Sequence, residues 1–235
     1  MSGRRSQTDL RNCSERGHIG KVPAYNSIFR AFESPALTPI LTALVEESAA
    51  PLRDLEWQFS PDSTGFTTSV YDNYFQAKHQ GAKAKRRFVK LHAIIGTNTN
   101  VITSAIVSDA GDAPMLPLLL DATVAAGFNV AEVSGDKAYL SKANAQKIVD
   151  AGAIPYIPFK ENSTGQGPAL WRELFAFFML KRPEFLAHYH RRSNVETSFW
   201  MVKSKFGSAV RSRLPVAQAN EVLAKVICHN LACIV

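Results

Sequence analysis

Residues 88–107 read FVKLHAIIGTNTNVITSAIV, in which two apolar runs rich in β-branched side chains flank the polar turn sequence TNTN. Runs of this length and composition, here residues 88–96 and 101–107, are typical of β-strands. A third candidate strand, residues 56–60, precedes them and leads into PDSTG at residues 61–65, which has the composition of a turn. Together the three runs predict an antiparallel meander.

Downstream of this meander, helical and strand patterns alternate. Helices are predicted over residues 113–127, 141–151, 169–207 and 216–235, and buried strands over residues 130–133 and 154–159. The helix 169–207 is expected to break near Pro183, and the helix 141–151 is capped by Ser141. Alternating strands and helices form parallel crossover units. The sequence therefore predicts an α/β fold in which three antiparallel strands are followed by parallel strands, with helices on both sides.

The first 54 residues have a different pattern and predict a small helical segment. Short helices are predicted over residues 6–16, 25–32 and 37–47. Two helices joined by a glycine-containing turn could form a small DNA-binding unit, but the same spacing occurs in ordinary helical hairpins. We therefore expect a helical segment at residues 1–54, which could be the remnant of a DNA-binding region, and a larger domain at residues 55–235.

The basic residues are unevenly distributed along the chain. It has 235 residues, 46% of them hydrophobic and 20% charged, which is too apolar for a disordered chain, and its formal net charge is +7. Six basic residues, Arg86 and Arg87 among them, lie in residues 78–90, and six more lie in residues 190–213. Such stripes suit the phosphate backbone of nucleic acid, and a solvated charged surface is the alternative.

The cysteine pattern indicates the redox environment in which the protein works. Cys13, Cys228 and Cys233 form no C-x-x-C pair, which disfavours a zinc knuckle and a disulfide framework and favours a reduced, cytoplasmic environment. The N-terminal sequence lacks the apolar run of a signal peptide, and no stretch approaches the roughly 20 apolar residues that span a bilayer. We therefore expect no membrane partner.

Three acidic residues occupy positions from which they could act together. Asp62 lies at the first predicted strand with small residues after it, Asp136 follows the buried strand 130–133, and Glu196 lies on a late helix. Strand ends and a helix can converge at one edge of an α/β sheet, and carboxylates there suit the pair of Mg²⁺ ions used in phosphodiester chemistry. Taken singly, each of the three also fits a turn, a cap or a solvated helix position.

The helix around Glu196 carries a polar stripe. At about 100° per residue, Arg192, Glu196 and Lys203 fall within about 60° of Tyr189 on a continuous helix, beside its apolar side. We therefore predict that these four side chains lie at the seam between this helix and the sheet.

These residues carry a resemblance. The segment YHRRSNVETSFWMVK contains Tyr189-x-x-Arg192-x-x-x-Glu196-x-x-x-x-x-x-Lys203, which resembles the Tyr-Arg-Glu-Lys signature of bacterial insertion-sequence DDE transposases. The segments DSTGF and SGDKAY resemble the first and second Asp motifs of that family, in the same order. The resemblance extends from about residue 55 to the C-terminus and implies a ribonuclease-H-like catalytic domain, which the predicted order of elements also matches.

The resemblance implies a role for each acid. Asp62, Asp136 and Glu196 would hold two Mg²⁺ or Mn²⁺ ions, and the protein would cleave DNA at insertion-sequence ends and join the ends to target DNA. Its partners would be the terminal inverted repeats, the target DNA and a second copy of the chain, because two ends must be paired.

The basic and aromatic members of the signature would contact DNA. Tyr189, Arg192 and Lys203 would bind the terminal phosphates, where Arg suits a forked contact and Lys a point-charge contact. Lys137 could be a further DNA contact or could neutralise the adjacent Asp136.

The chain also departs from the family pattern. Only 59 residues separate Asp136 from Glu196, too few for the β-rich insertion domain of some relatives, and the region before the first Asp is short. A truncated, inactive remnant that only binds DNA is therefore the alternative function. A ribonuclease-H-like nuclease that acts on another nucleic acid is a third.

Some other residues are given structural roles. Trp171 and Trp200 are predicted to be core residues, although either could stack on an extruded base. His229 is predicted to be packed and hydrogen-bonded. Asp112 is assigned to a turn before a helix and makes a poor extra metal ligand by its position in the sequence.

Overall fold

The structure, a computed structural model, describes residues 3–68 and 88–235 and contains one mixed sheet. Its strands are β1 (Gln58–Thr67), β2 (Phe88–Gly96), β3 (Ile102–Val107), β4 (Glu132–Ser134) and β5 (Ile154–Tyr156). In the order β3-β2-β1-β4-β5, the first three strands pair antiparallel, whereas β4 pairs parallel with both β1 and β5. The predicted α/β class is confirmed, and the sheet is consistent with a ribonuclease-H-like fold.

Helices precede the sheet, connect its parallel strands and follow it. They are α1 (Gly3–Glu15), α2 (Tyr25–Glu33), α3 (Leu37–Ala49), α4 (Asp112–Ala125), α5 (Lys142–Asp150), α6 (Ala169–Leu180), α7 (Arg182–Tyr189), α8 (Asn194–Phe206) and α9 (Pro215–Ile234). Short 3₁₀ turns lie at Ala50–Leu55 and His190–Ser193. Ser141 caps α5 as predicted, because its hydroxyl accepts the Asn144 N–H at 3.0 Å.

The described ranges, 3–68 and 88–235, contain few long apolar helices. No single helix there is long and apolar enough to cross a bilayer; one pair, Tyr25–Glu33 with Leu37–Leu55, meets the length and composition criteria jointly but is bent by 91°.

The segment PDSTG is part of β1, and its prediction as a turn is wrong. Asp62 pairs with Ala93 and Gly65 with Lys90 in an unbroken antiparallel register. Pro61 is accommodated because the ladder with β4 ends at Phe59, and a proline is tolerated where one side of a strand is unpaired. The local composition is that of a turn, but the long partner strand β2 keeps the segment extended.

Apolar side chains of the sheet pack against helices on both faces. On one face, Phe66 and Leu91 lie in a core with Val202 of α8 and Val222 of α9. On the other face, Phe59, Ile94 and Val133 pack with Leu120 of α4 and Ile148 of α5. Phe59 and Phe66 lie seven positions apart on β1 and so face opposite sides of the sheet, as strand geometry requires. The sheet is therefore the central layer.

The N-terminal helix α3 shares the first of these cores. Leu41 and Val45 are buried in it beside the strand residues. Asn230 of α9 donates to the Val45 carbonyl at 3.2 Å and also hydrogen-bonds both the N–H and the carbonyl of Ile102 in β3. The division at residue 54 stays a prediction, but α3 is packed on the sheet.

An aromatic cluster covers β5. Phe159, Trp171, Phe178 and Phe185 pack there around Tyr156, which confirms the prediction of a core role for Trp171. The same prediction is wrong for Trp200, whose side chain is 68% exposed. The buried side of α8 is formed by Val195, Phe199 and Val202, and a step of 100° from Phe199 turns Trp200 outward.

The turn between β2 and β3 is stabilised by a buried carboxylate and a buried histidine. Glu56 accepts the backbone N–H groups of Asn98 at 3.0 Å and Thr99 at 2.9 Å. His229 donates from Nε2 to the Asn100 carbonyl at 2.8 Å, which confirms its predicted role as a packed, hydrogen-bonded residue. Both interactions fix the hairpin formed by the two strands that flank the turn.

Candidate active site

The carboxyl end of β4 lies beside the middle of β1, and this brings two predicted acids together. The parallel register of the two strands has an offset of 74 residues. The ladder ends at Phe59 and Val133, but the same offset, continued along both segments, leads from Asp62 to Asp136, two residues beyond the end of β4, and the Asp136 charge acts on Asp62.

Asp62 is a partly buried carboxylate with a cationic neighbour. Its Oδ1 accepts the Ser63 N–H at 2.8 Å, and its Oδ2 lies 3.7 Å from Nη2 of Arg192. Burial raises the pKa of Asp62, the negative charges of Asp136 and Asp112 raise it further, and the Ser63 N–H and Arg192 oppose them. The net direction is upward, chiefly because burial disfavours the ionised carboxylate.

Lys203 of α8 contacts the same strand. Its Nζ donates to Oγ1 of Thr64 at 2.6 Å and lies 5.6 Å from the centre of the Phe66 ring. Burial lowers the pKa of this lysine. Because Thr64 and Asp62 are two positions apart in a strand, their side chains share a face. Arg192 and Lys203 therefore lie on the face of β1 that carries Asp62.

The helix that the Tyr-Arg-Glu-Lys signature predicts is interrupted. α7 ends at Tyr189, and the 3₁₀ turn His190–Ser193 separates it from α8. A rotation of 100° per residue therefore does not relate Tyr189 to Glu196. Tyr189 packs on Phe185, with ring centres 6.5 Å apart, and the Arg192 guanidinium lies 5.9 Å from the centre of the Tyr189 ring.

Glu196 lies in the first turn of α8, and its side chain is exposed. Within the described residues, no hydrogen bond or ion pair involves its carboxylate, and the charges that act on Asp62 are those of Arg192, Asp136 and Asp112. In the same ranges, 3–68 and 88–235, no three His, Cys, Asp or Glu side chains are grouped closely enough to hold a metal ion. The structure therefore brings together Asp62 and Asp136 and leaves Glu196 apart.

A hydrogen-bonded clip holds the 3₁₀ turn against β4. Nδ1 of His188 lies 2.9 Å from Oε2 of Glu132, and the same carboxylate oxygen accepts from Gln58 at 3.1 Å. The His188 ring stacks on Tyr156 of β5 at 4.4 Å with an interplanar angle of 3°. The Ser134 hydroxyl donates to the His188 carbonyl at 3.3 Å. This clip anchors the segment that carries Arg192 to the strand that leads to Asp136.

The remaining predicted DNA contacts are peripheral or outside the described residues. Lys137 is exposed next to Asp136. Arg86 and Arg87 fall in residues 69–87, which lie outside the described ranges.

Three residues near the acid pair have roles that the sequence did not predict. Asp112, at the first turn of α4, acts electrostatically on Asp62; its Oδ1 lies 2.9 Å from Nζ of Lys90 and 3.2 Å from Nδ1 of His92. Tyr139 is buried, and the charges of Asp112, Asp62 and Asp136 raise its pKa beyond the effect of burial. Asp112 and His92 are far apart in the sequence, so no spacing rule joins them. For Tyr139, the sequence signal was its position at the end of the SGDKAY motif that contains Asp136.

Residues 56–231 match a known protein family. A family model described as the transposase DDE domain matches this range, which covers most of the chain and all three predicted acids. The chain belongs to the transposase DDE domain family. This confirms the resemblance drawn from the signature residues. No curated protein sequence matches the chain.

A structural comparison matches a chain of a solved assembly, described as the cryo-EM structure of a simian T-cell lymphotropic virus intasome in complex with PP2A regulatory subunit B56 gamma. The sequence identity is 11% and the TM-score 0.33, and the match covers 63% of the present chain and 48% of that chain. The transposase DDE domain thus spans about half the length of the matched protein.

The acid pair of this transposase DDE domain fits a divalent cation in part. Asp62 and Asp136 supply hard carboxylate oxygens, and the pKa of Asp62 is raised mainly by burial and to a lesser extent by the negative charges of Asp136 and Asp112. A third ligand within the same group is not provided by the described residues. Two of the three predicted metal ligands, Asp62 and Asp136, are therefore placed to bind a cation, and Glu196 is not.

Proposed function

We propose that this chain is a transposase that cleaves DNA at insertion-sequence ends and transfers the strands into target DNA, using divalent metal ions. The observation that supports it best is the electrostatic interaction of Asp136, just after β4, with Asp62 in the neighbouring strand β1, whose side chains also contact Arg192 and Lys203, in a chain of the transposase DDE domain family.

The side chains of this face have separable roles. Asp62 and Asp136, with Glu196 as the third acid, would hold two Mg²⁺ or Mn²⁺ ions. When bound, such ions supply activation of the attacking oxygen and stabilisation of the leaving oxygen. Arg192 and Lys203 would bind DNA phosphates on the same face of β1 and so orient the scissile bond, and Tyr189 would support Arg192 through ring contact.

The partners of this reaction follow from its chemistry. The basic residues of 190–213 would bind the duplex of the terminal inverted repeats and of the target, since each phosphate contact releases counterions. The two ends of the element must be held side by side while both are cut and joined to target DNA. We therefore propose a homodimer in the DNA complex.

A second function, DNA binding without cleavage, is favoured by one observation. Glu196 lies apart from the aspartates, and the described residues contain no assembled set of three metal ligands. A remnant that has lost its metal chemistry would keep the basic face of α8 and the 3₁₀ turn.

One experiment separates the two functions. The purified chain is incubated with duplex DNA taken from either side of its coding sequence, with Mg²⁺ or Mn²⁺, and cleavage is followed beside binding. We expect metal-dependent cleavage that Asp62→Asn and Asp136→Asn each reduce at least about 100-fold, because each removes a charged ligand. Glu196→Gln should have the same effect, whereas Glu173→Gln, an exposed acid on α6, should have none.

The outcomes are distinct. Salt-sensitive binding without cleavage under either metal would support the DNA-binding remnant. Cleavage that survives Asp62→Asn would remove the assigned site, and cleavage that survives Glu196→Gln alone would remove Glu196 from it. Preferential cutting of RNA/DNA hybrids would favour a nuclease of another substrate class.

A further inference from the structure

The segment that connects α8 to α9, residues 207–214 with the sequence GSAVRSRL, contains two arginines and no acidic residue, and we call it the basic loop. Arg211 and Arg213 are both exposed, and within the described residues neither guanidinium takes part in a hydrogen bond or an ion pair. Exposed charges are most often simply solvated, so these two side chains alone assign no function. The backbone of this loop, however, is fixed at several points.

Glu221 of α9 holds the centre of the basic loop. Its Oε1 accepts the Arg211 N–H at 3.1 Å, and its Oε2 accepts the N–H groups of Arg211 and Ser212, each at 2.9 Å. Gln218, about one turn earlier on α9, donates to the Ser212 carbonyl at 3.0 Å. Hydrogen bonds to a carboxylate are stronger than those between neutral groups. The backbone at residues 211 and 212 therefore has little conformational freedom.

Lys225, about one turn further along α9, holds the start of the loop. Its side chain is 10% exposed, and its Nζ donates to the carbonyls of Gly207 at 2.9 Å and Ala209 at 2.7 Å. The centre of the Phe66 ring of β1 lies 5.3 Å from the same nitrogen. Burial of a lysine costs free energy unless its charge is hydrogen-bonded. The two hydrogen bonds that Lys225 makes within the described residues both go to the basic loop.

The basic loop is also joined to the end of β1. The Thr67 N–H donates to the Ser208 carbonyl at 3.0 Å, and the Val210 N–H donates to the Thr67 carbonyl at 2.8 Å. Val210 is 1% exposed and packs in the core that contains Phe66. Thr67 lies five positions after Asp62 on β1, which corresponds to about 17 Å of strand. Because successive phosphates of one DNA strand advance by about 3.4 Å along a duplex, the loop and Asp62 would contact different phosphates.

A loop that is fixed in this way has an advantage in binding. A mobile loop loses conformational freedom when it binds a partner, and this loss weakens the affinity, whereas a loop that is already fixed avoids most of it. A solvated charged surface needs no such fixation. Two unpaired guanidinium groups on a fixed backbone suit a polyanion, and each phosphate bound there would release counterions.

We propose that the basic loop is a DNA-backbone contact separate from the signature residues, in which Arg211 and Arg213 bind phosphates of a duplex and Glu221 is the positioning residue that holds them. This inference rests on the DNA binding in the proposed function, and it requires neither a bound metal ion nor cleavage. Glu221 is thus an acid that favours the binding of an anion, because it acts through the backbone of the loop.

The two arginines are tested by the salt dependence of binding. Fluorescence anisotropy of a labelled DNA duplex of mixed sequence, with EDTA present and salt varied from about 50 to 200 mM, gives the affinity and its slope against salt. Arg211→Gln combined with Arg213→Gln should lower the affinity about tenfold and reduce the magnitude of the slope by roughly 2, since two phosphate contacts are lost. Arg172→Gln with Lys160→Gln, which removes two exposed charges elsewhere, is the matched control and should stay near the parent.

The role of Glu221 is tested by the sign of its effect. Removal of an acid makes the chain more positive, so electrostatics alone predicts tighter DNA binding for Glu221→Ala. A positioning role predicts the opposite, a loss of about threefold or more. Glu221→Gln changes the charge equally but keeps an acceptor oxygen for the two N–H groups, so it should recover part of this loss. Glu173→Ala, at an exposed acid of α6, should show no loss.

The contrary results are distinct when every variant is measured at a temperature at which circular dichroism shows it to be folded. If the parent binds duplex DNA and the double arginine variant binds equally well, or if the control pair loses as much, the inference is overturned and the proposed DNA binding stands. Equal or tighter binding by Glu221→Ala, or no recovery by Glu221→Gln, overturns the positioning role. A loss seen with a labelled RNA duplex and not with DNA would identify another partner and also overturn the inference. If the parent does not bind duplex DNA, the proposed function fails, and the inference fails with it.

Discussion

Asp62 shows how one side chain acquires its properties from contacts that are remote in sequence. It lies in a strand between Pro61 and Ser63, yet its ionisation is set by burial, by Asp136 across the sheet and by Arg192 from the 3₁₀ turn. Its pKa is raised in the folded state. The protonated form of Asp62 therefore stabilises the fold at low pH, and that contribution is lost as the pH rises through the folded pKa.

The same shift should govern the pH dependence of the metal binding that we propose. A divalent cation and a proton compete for Asp62, so Mn²⁺ affinity should fall with decreasing pH, beginning at a higher pH than for an unperturbed aspartate. Because the Arg192 charge lowers the Asp62 pKa, Arg192→Ala should move the midpoint of this loss to higher pH. Calorimetric titration with Mn²⁺ at a series of pH values measures it.

The control for this prediction is Arg213→Ala, an exposed arginine of the same basic stretch. It should leave the midpoint unchanged. A midpoint that shifts equally in both variants would indicate a general effect of net charge and would contradict a local role for Arg192.

At the scale of elements, the 3₁₀ turn His190–Ser193 depends on the neighbouring strands for its position. It contains Arg191 and Arg192 and has no side-chain cap of its own. The clip between His188 and Glu132, with the ring of His188 stacked on Tyr156, fixes its start. Contacts with β4 and β5, rather than helix propensity, therefore determine the geometry of the turn.

Removing the clip should loosen the turn selectively. We expect His188→Ala to lower the free energy of unfolding by about 1 kcal/mol, because a charged hydrogen bond between partly buried groups is lost. Amide hydrogen exchange in residues 190–193 should accelerate by roughly tenfold, which corresponds to about 1.4 kcal/mol of local stability. Hydrogen-exchange mass spectrometry measures this.

His190→Ala is the matched variant, since His190 is exposed in the same turn and lies outside the clip. Exchange in this variant should stay close to that of the parent. Equal acceleration in both variants would assign the effect to the turn sequence and not to the contact with Glu132.

At the scale of the whole molecule, α9 joins the N-terminal helices to the sheet. The buried side chain of Asn230 accepts the Ile102 N–H at 2.9 Å, donates to the Ile102 carbonyl at 2.8 Å and reaches Val45 and Ser48 of α3. Asn220 of the same helix donates to the Phe32 carbonyl at 2.8 Å. These bonds connect segments that are more than a hundred residues apart.

Loss of this connection should affect the entire fold. Asn230→Ala leaves the N–H and the carbonyl of Ile102 without their buried partner, so the free energy of unfolding should fall by roughly 2–4 kcal/mol. Urea denaturation followed by circular dichroism gives the value. Asn129→Ala, at an exposed asparagine, should change it by less than about 0.5 kcal/mol, and a similar loss in both variants would contradict the role of Asn230.

The sequence by itself determined the class of sheet, the order of most elements and the family. The runs 88–96 and 101–107 identify two strands nearly to the residue, because β-branched alternation and a polar turn are local signals. The same signals place Ser141 as a cap. The motifs around Asp62, Asp136 and Glu196 predicted the family for a similar reason, since motif spacing is a property of the chain alone.

Only the tertiary structure decided how the site is assembled. PDSTG is a strand because β2 pairs with it, the signature helix is split because the Glu132 clip fixes a turn within it, and Trp200 is exposed because Phe199 faces the core. The pairing of Asp62 with Asp136 and the burial of the Tyr139 hydroxyl depend on the register between strands. Register and side-chain environment are set by residues distant in the chain, and local composition carries no information about them.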